Sequence, residues 1–92
     1  MDESAGLSFV PSNVPYTNSN LFLGDLDMFA FKSCLADNGL QAEFHEGCLV
    51  VKTEGRPRIK IFKEQGKISF ESVVCKEYFL VRKLLYSNLV YI

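Results

Sequence analysis

His45, Cys48, Cys34 and Cys75 are the residues whose types could hold a metal ion or pair a nucleophile with a base. Three thiolates and an imidazole would make a full zinc ligand set. The spacing speaks against it: there is no CxxC pair, and zinc sites announce themselves as paired short spacings. Cys34 falls on the apolar face of a predicted helix and Cys75 at the start of another, where free thiols behave as small apolar side chains. His45, the single histidine, stands beside a turn on the polar phase of a strand, the position of a surface residue. Nucleophilic catalysis needs a base beside its nucleophile, and no such pair emerges. Glycine-rich phosphate loops are absent. The expectation is a non-enzymatic chain with no metal and no cofactor.

A second group with chemical potential is basic: Lys52, Arg56, Arg58, Lys60, Lys63 and Lys67. It could form a phosphate-contacting ribbon with Phe62 stacked on a base. Glu54, Glu64 and Glu71 dilute it, and charged residues also guard exposed strands against edge-to-edge association. The net charge is −1 and the pI about 5.7, which argues against binding nucleic acid through bulk positive charge. RNA contact through Arg56, Arg58, Lys60 and Phe62 therefore stands as the alternative reading.

The elements that carry these residues are organised around Asn38–Val51. Gly39 closes a helix in the left-handed conformation. Leu40, Ala42 and Phe44 alternate with polar residues, the period of a strand with one buried face. Glu46-Gly47 makes a tight hairpin turn. Cys48–Val51 returns as a strand apolar on both faces, which predicts an inner position with cover on each side. Upstream, Leu21–Leu23 is a short strand ended by Gly24. Asp25 is the predicted N-cap of a helix over Leu26–Asn38, with Met28, Phe31, Cys34 and Leu35 on one face and Phe29 off it. Downstream, Pro57 should start a strand at or after itself. Ile59 and Ile61 alternate with Arg58, Lys60 and Phe62. Glu64-Gln65-Gly66 turns the chain into Lys67–Glu71, with Ile68 and Phe70 on one face. The last helix is predicted from Val74 or Cys75 to Leu89, with a core stripe of Val74, Tyr78, Val81, Leu85 and Leu89. The order β-α-β-β-β-β-α predicts a two-layer α+β domain with a mostly antiparallel sheet of four to five strands.

Ninety-two residues make one domain, and 48% hydrophobic content makes it globular. Met1–Asn20, rich in Ser and Asn around Pro11 and Pro15, reads as a linker or flexible arm; Leu7–Val10 could dock as a short strand, and residues 21–92 form the domain. The stretch MDESAGLSFVP, without a basic n-region or a long apolar core, is not expected to be a secretory signal, and no apolar run approaches the ~20 residues of a membrane helix. The odd number of scattered cysteines fits reduced thiols in a cytosolic or nuclear protein. So small a core, with eight Phe and four Tyr, makes a partner expected. The last helix is apolar over a wider arc than one sheet can use, with Phe79, Tyr86 and Val90 on one flank and Leu80 and Leu84 on the other. The candidate partner contacts are Phe79, Leu80, Leu84, Tyr86, Val90, Tyr91 and Ile92.

Six stretches together resemble a known family: Phe31-Lys32, Gly39–Phe44, Gly47–Val51, Gly66–Ile68, Cys75–Tyr78 and Val81–Tyr86. The chain is similar, over about Leu21 to Ile92, to the C-terminal domain of the 100-kDa subunit of the cleavage and polyadenylation specificity factor. Cys48 departs from the aliphatic residue usual there, conservatively in bulk. The resemblance implies a piece of a larger, catalytically inactive metallo-β-lactamase-like subunit of the nuclear pre-mRNA 3′-end processing complex. It implies that this region pairs with the C-terminal region of the 73-kDa endonuclease subunit, and that the pair joins symplekin. Integrator subunits share the architecture and match these motifs less well. The expected function is a heterodimerisation module.

Overall fold

The computed structural model describes residues 16–90. The expected docking strand at Leu7–Val10, most of the expected arm, and the candidate contacts Tyr91 and Ile92 lie outside them. Five strands, β1 (Asn18–Leu23), β2 (Gln41–His45), β3 (Cys48–Thr53), β4 (Arg56–Glu64) and β5 (Lys67–Ser72), combine with two helices, α1 (Met28–Asp37) and α2 (Tyr78–Asn88). The element order is the predicted one. All these strands pair antiparallel in the order β1-β5-β4-β3-β2, which leaves β1 and β2 as the two edges among the described residues.

Local sequence explains most boundaries. Glu46-Gly47, Glu54-Gly55 and Gln65-Gly66 all have positive φ at both residues, the backbone that a two-residue hairpin turn requires. Gly39 has φ 78°, and its N–H donates to Ala36 O while that of Leu40 donates to Leu35 O, a Schellman closure of α1. The start of α1 differs from expectation. Its N-cap is Asp27, whose carboxylate accepts from Phe29 N and Ala30 N at 3.1 Å each. Asp25 instead accepts from Leu26 N at 2.7 Å and pairs with Lys63 at 3.0 Å. Leu26 is thereby free to sit before the cap, buried in the core with Phe31, the two positions of a hydrophobic staple.

Three further boundaries shift. Strand β1 begins at Asn18, inside the expected arm, because it pairs along the full length of β5 from Asn18↔Ser72 to Leu23↔Lys67. Strand β4 begins at Arg56, with Pro57 inside it; the register shift between Val51 and Lys52 lies beside the residue that cannot donate. Helix α2 begins at Tyr78 rather than Val74 or Cys75. Val73 N still bonds Arg58 O, so the chain follows the sheet to that point and then turns. Val74 is consequently 80% exposed and belongs to no core stripe.

Both helices pack on one sheet face. Leu49, Val51, Ile59, Ile61, Ile68 and Phe70 from the strands meet Leu26, Phe31, Leu35, Val81 and Leu85, all essentially inaccessible. Inner strand β3 is buried on both faces, since Val50 on the helix-free side is also fully covered. Among the described residues no helix is long and apolar enough to cross a membrane.

Candidate interaction surface

The rows of α2 decide which of its apolar residues stay outside. Val81 and Leu85 point into the core. The row Leu80, Leu84, Asn88, four residues apart, turns towards α1: Asn88 Nδ2 lies 3.7 Å from Cys34 Sγ. Leu84 packs against the core and Leu80 stays 39% exposed. The row Tyr78, Arg82, Tyr86 turns the other way and tracks β1. Asn20 Nδ2 reaches the Tyr78 hydroxyl at 3.5 Å, and the Phe22 and Tyr86 rings meet edge-on at 5.0 Å. Phe79, beyond this row, stacks edge-on with Tyr78 at 5.0 Å and is 75% exposed.

Arg82 stands among these rings. Its guanidinium carbon is 5.9 Å from the Phe22 centroid, 6.0 Å from Tyr78 and 5.6 Å from Tyr86. Nη1 donates to the Tyr78 hydroxyl at 3.4 Å and Nη2 to that of Tyr86 at 3.5 Å; the Tyr86 bond first, and then the charge of Tyr78 when ionised, hold its pKa above the usual value. The side of β1 away from β5, unpaired among the described residues, lies beside this ridge.

The candidate contacts thus divide. Phe79 and Tyr86 share the β1 flank, Leu80 and Leu84 line the α1 flank, and Val90 sits at the far end in an isolated bridge with Asp25. Val90 belongs to a second apolar feature, a groove of about 700 Å³ lined also by Met28, Phe29 and Phe44. Phe29 and Phe44 lie 5.0 Å apart there, and Phe29 is 76% exposed. Sequence reasoning missed Phe22, Phe44 and Arg82. The spacing Tyr78-x₃-Arg82-x₃-Tyr86, with a cation between two aromatics on one helical row, was the available signal.

Three of the six residues in the basic group are paired with carboxylates. Lys52 pairs with Glu43 at 3.2 Å, Lys60 with Glu71 at 3.6 Å and Lys63 with Asp25 at 3.0 Å. Lys60 also lies over Phe62, 5.2 Å from its centroid. Arg58 is half-buried on the same helix-free face, and Arg56 is exposed in the β3–β4 hairpin.

The residues weighed as metal ligands are not brought together. His45 and Cys48 are cross-strand partners on the helix-free face, whereas Cys34 and Cys75 lie on the helix side. Glu43, held below the usual carboxylate range chiefly by its hydrogen bond from Lys52, has its Oε1 3.3 Å from His45 Nε2. Burial pushes the Cys48 thiol up, away from thiolate character. Among the described residues no group of three or more His, Cys, Asp or Glu is placed to hold a metal ion.

Comparison with known proteins agrees with the sequence resemblance. Residues 2–89 match the family described as cleavage and polyadenylation factor 2 C-terminal. The chain is 34% identical over 84 residues to cleavage and polyadenylation specificity factor subunit 2 of Oryza sativa subsp. japonica, an alignment covering 85% of this chain and 11% of that protein. No solved structure matches significantly. The chain belongs to the family of cleavage and polyadenylation factor 2 C-terminal domains.

Proposed function

We propose that the chain is a non-catalytic heterodimerisation module of the nuclear pre-mRNA 3′-end cleavage and polyadenylation machinery. Its partner in this reading is the C-terminal region of the 73-kDa endonuclease subunit, and the pair joins symplekin. Family membership supplies the process. The observation that carries the pairing is the surface along β1: Phe79 and Tyr86, 75% and 46% exposed, beside a strand with one edge unpaired among the described residues. Exposed aromatics desolvate a large area with little loss of rotamer freedom, and an open edge can accept a strand from another chain. The contacts proposed are Phe79 and Tyr86 first, with Leu80, Leu84, Val90, Tyr91 and Ile92 as further candidates. Pairing of Lys52, Lys60 and Lys63 with Glu43, Glu71 and Asp25 weighs against the RNA alternative.

An amide NMR titration of the chain with the endonuclease subunit's C-terminal region tests the proposal. Large shifts confined to β1 and α2 are expected. An unchanged spectrum would refute pairing. Shifts on Arg56–Phe62 with added RNA alone would favour the RNA reading.

A further inference from the structure

Neither β1 nor α2 contains an acidic residue; their charged residues are Arg82 and Lys83 alone, in a chain whose net charge is −1. Arg82 is also incompletely used. Two of its nitrogens donate to phenol oxygens at 3.4 and 3.5 Å, long for N–H···O bonds, and its Nε is buried without a hydrogen-bond partner among the described residues. No carboxylate lies within 4.0 Å of it among the described residues. A guanidinium has five N–H donors in a fixed fork. Here three aromatic rings, Phe22, Tyr78 and Tyr86, hold that fork at the border of the open edge.

We infer that Arg82 is a preorganised receptor for a carboxylate, and that the partner of the β1–α2 surface presents an Asp or Glu flanked by apolar residues. The inference rests on the pairing proposed above and adds the chemistry of the partner. The apolar flanks would cover Phe79 and Tyr86. The acidic side chain would take the strong, directional bonds that the phenol oxygens supply only weakly. Rings already fixed around the cation mean that little side-chain freedom is lost on docking. A protein carboxylate suits the site better than a nucleic acid. The rings meet edge to face, at 79° for Phe22–Tyr86 and 82° for Tyr78–Phe79, so they pack on one another rather than offering parallel platforms for bases.

The test is calorimetric titration of the chain with the endonuclease subunit's C-terminal region at low salt, using the unaltered chain, Arg82→Met and Arg82→Lys. Circular dichroism checks that each is folded. Arg82→Met keeps the apolar stem and removes the fork; an affinity loss of about 30-fold or more is expected, as for truncation of a desolvated charge pair. Arg82→Lys keeps the charge without the planar fork and should lose several-fold. Folded variants that bind like the unaltered chain would overturn the inference while leaving the pairing intact. Failure of the unaltered chain to bind would sink the pairing and the inference with it. Tight binding of a single-stranded oligouridylate, lost in Arg82→Met, would overturn the inference in favour of an RNA surface.

Discussion

The Tyr86 ring meets Phe22 edge-on at 5.0 Å, joining the last helix to the outermost strand. Phe22 continues inward to Phe70 at 6.3 Å, so the exposed aromatic ridge is anchored in the core. A surface fixed in this way keeps its shape without needing a partner to order it.

The two flanks of α2 should respond differently to truncation. Tyr86→Ala is expected to weaken pairing by on the order of 2 kcal/mol, the scale of a central aromatic contact. Leu84→Ala removes packing against the core and should lower fold stability by about 2 kcal/mol, with a smaller loss of pairing than Tyr86→Ala where the domain is folded. Thermal melts and affinities measured on both variants separate the two effects.

The helix cap gives a sharp comparison. Asp27→Ala removes the acceptor of two amide bonds and should cost about 1 kcal/mol. Asp25→Ala should cost less, since Asp25 is exposed and its Lys63 pair is a surface ion pair. Lys63 and the Leu26 amide hold the Asp25 carboxyl below the usual range. The stability it adds is present above the unfolded carboxylate pKa and disappears as pH falls through the lowered value. Denaturant midpoints at neutral and acid pH test both statements.

Phe31 is fully buried between the helices and the sheet. Phe31→Ala should cost roughly 3–5 kcal/mol, a large share of what a small domain possesses. Chemical denaturation should find it partly or wholly unfolded in buffer.

Tyr16 offers a test at the alkaline end. Burial first, and then the Glu71 carboxylate, push its phenol up to about 12. An unfolded tyrosine titrates near 10. Its contribution to stability is therefore full below about 10 and is lost as pH rises from there towards 12. One of the four tyrosines should ionise late in tyrosinate absorbance, and Tyr16→Phe should remove that late component. The hydroxyl is buried without a hydrogen-bond partner, so the same substitution should leave stability at neutral pH unchanged or raised by up to about 1 kcal/mol.

Much of the fold was legible because glycines and alternation mark it. Gly39, Gly47 and Gly66 end elements or turn them, and Ile59, Ile61, Ile68 and Phe70 declare the buried face by period alone. Boundaries set by partners were not legible. Asn18–Asn20 have no strand propensity of their own and are extended because β5 pairs them. Val74 falls in phase with the helix stripe, but the sheet claims the chain through Val73. Two aspartates precede α1, and the choice between them follows from burying Leu26. For the candidate surface, the width of the apolar arc was readable, whereas its division between α1 and β1 depends on where the helix lies on the sheet.

Sedimentation equilibrium of the chain mixed in equal amounts with the endonuclease subunit's C-terminal region addresses the central claim most directly. The account requires one species with the summed mass of the two chains, lost on Phe79→Asp/Tyr86→Asp although that variant remains folded. Two independent components at micromolar concentrations, each at its own mass, would contradict it.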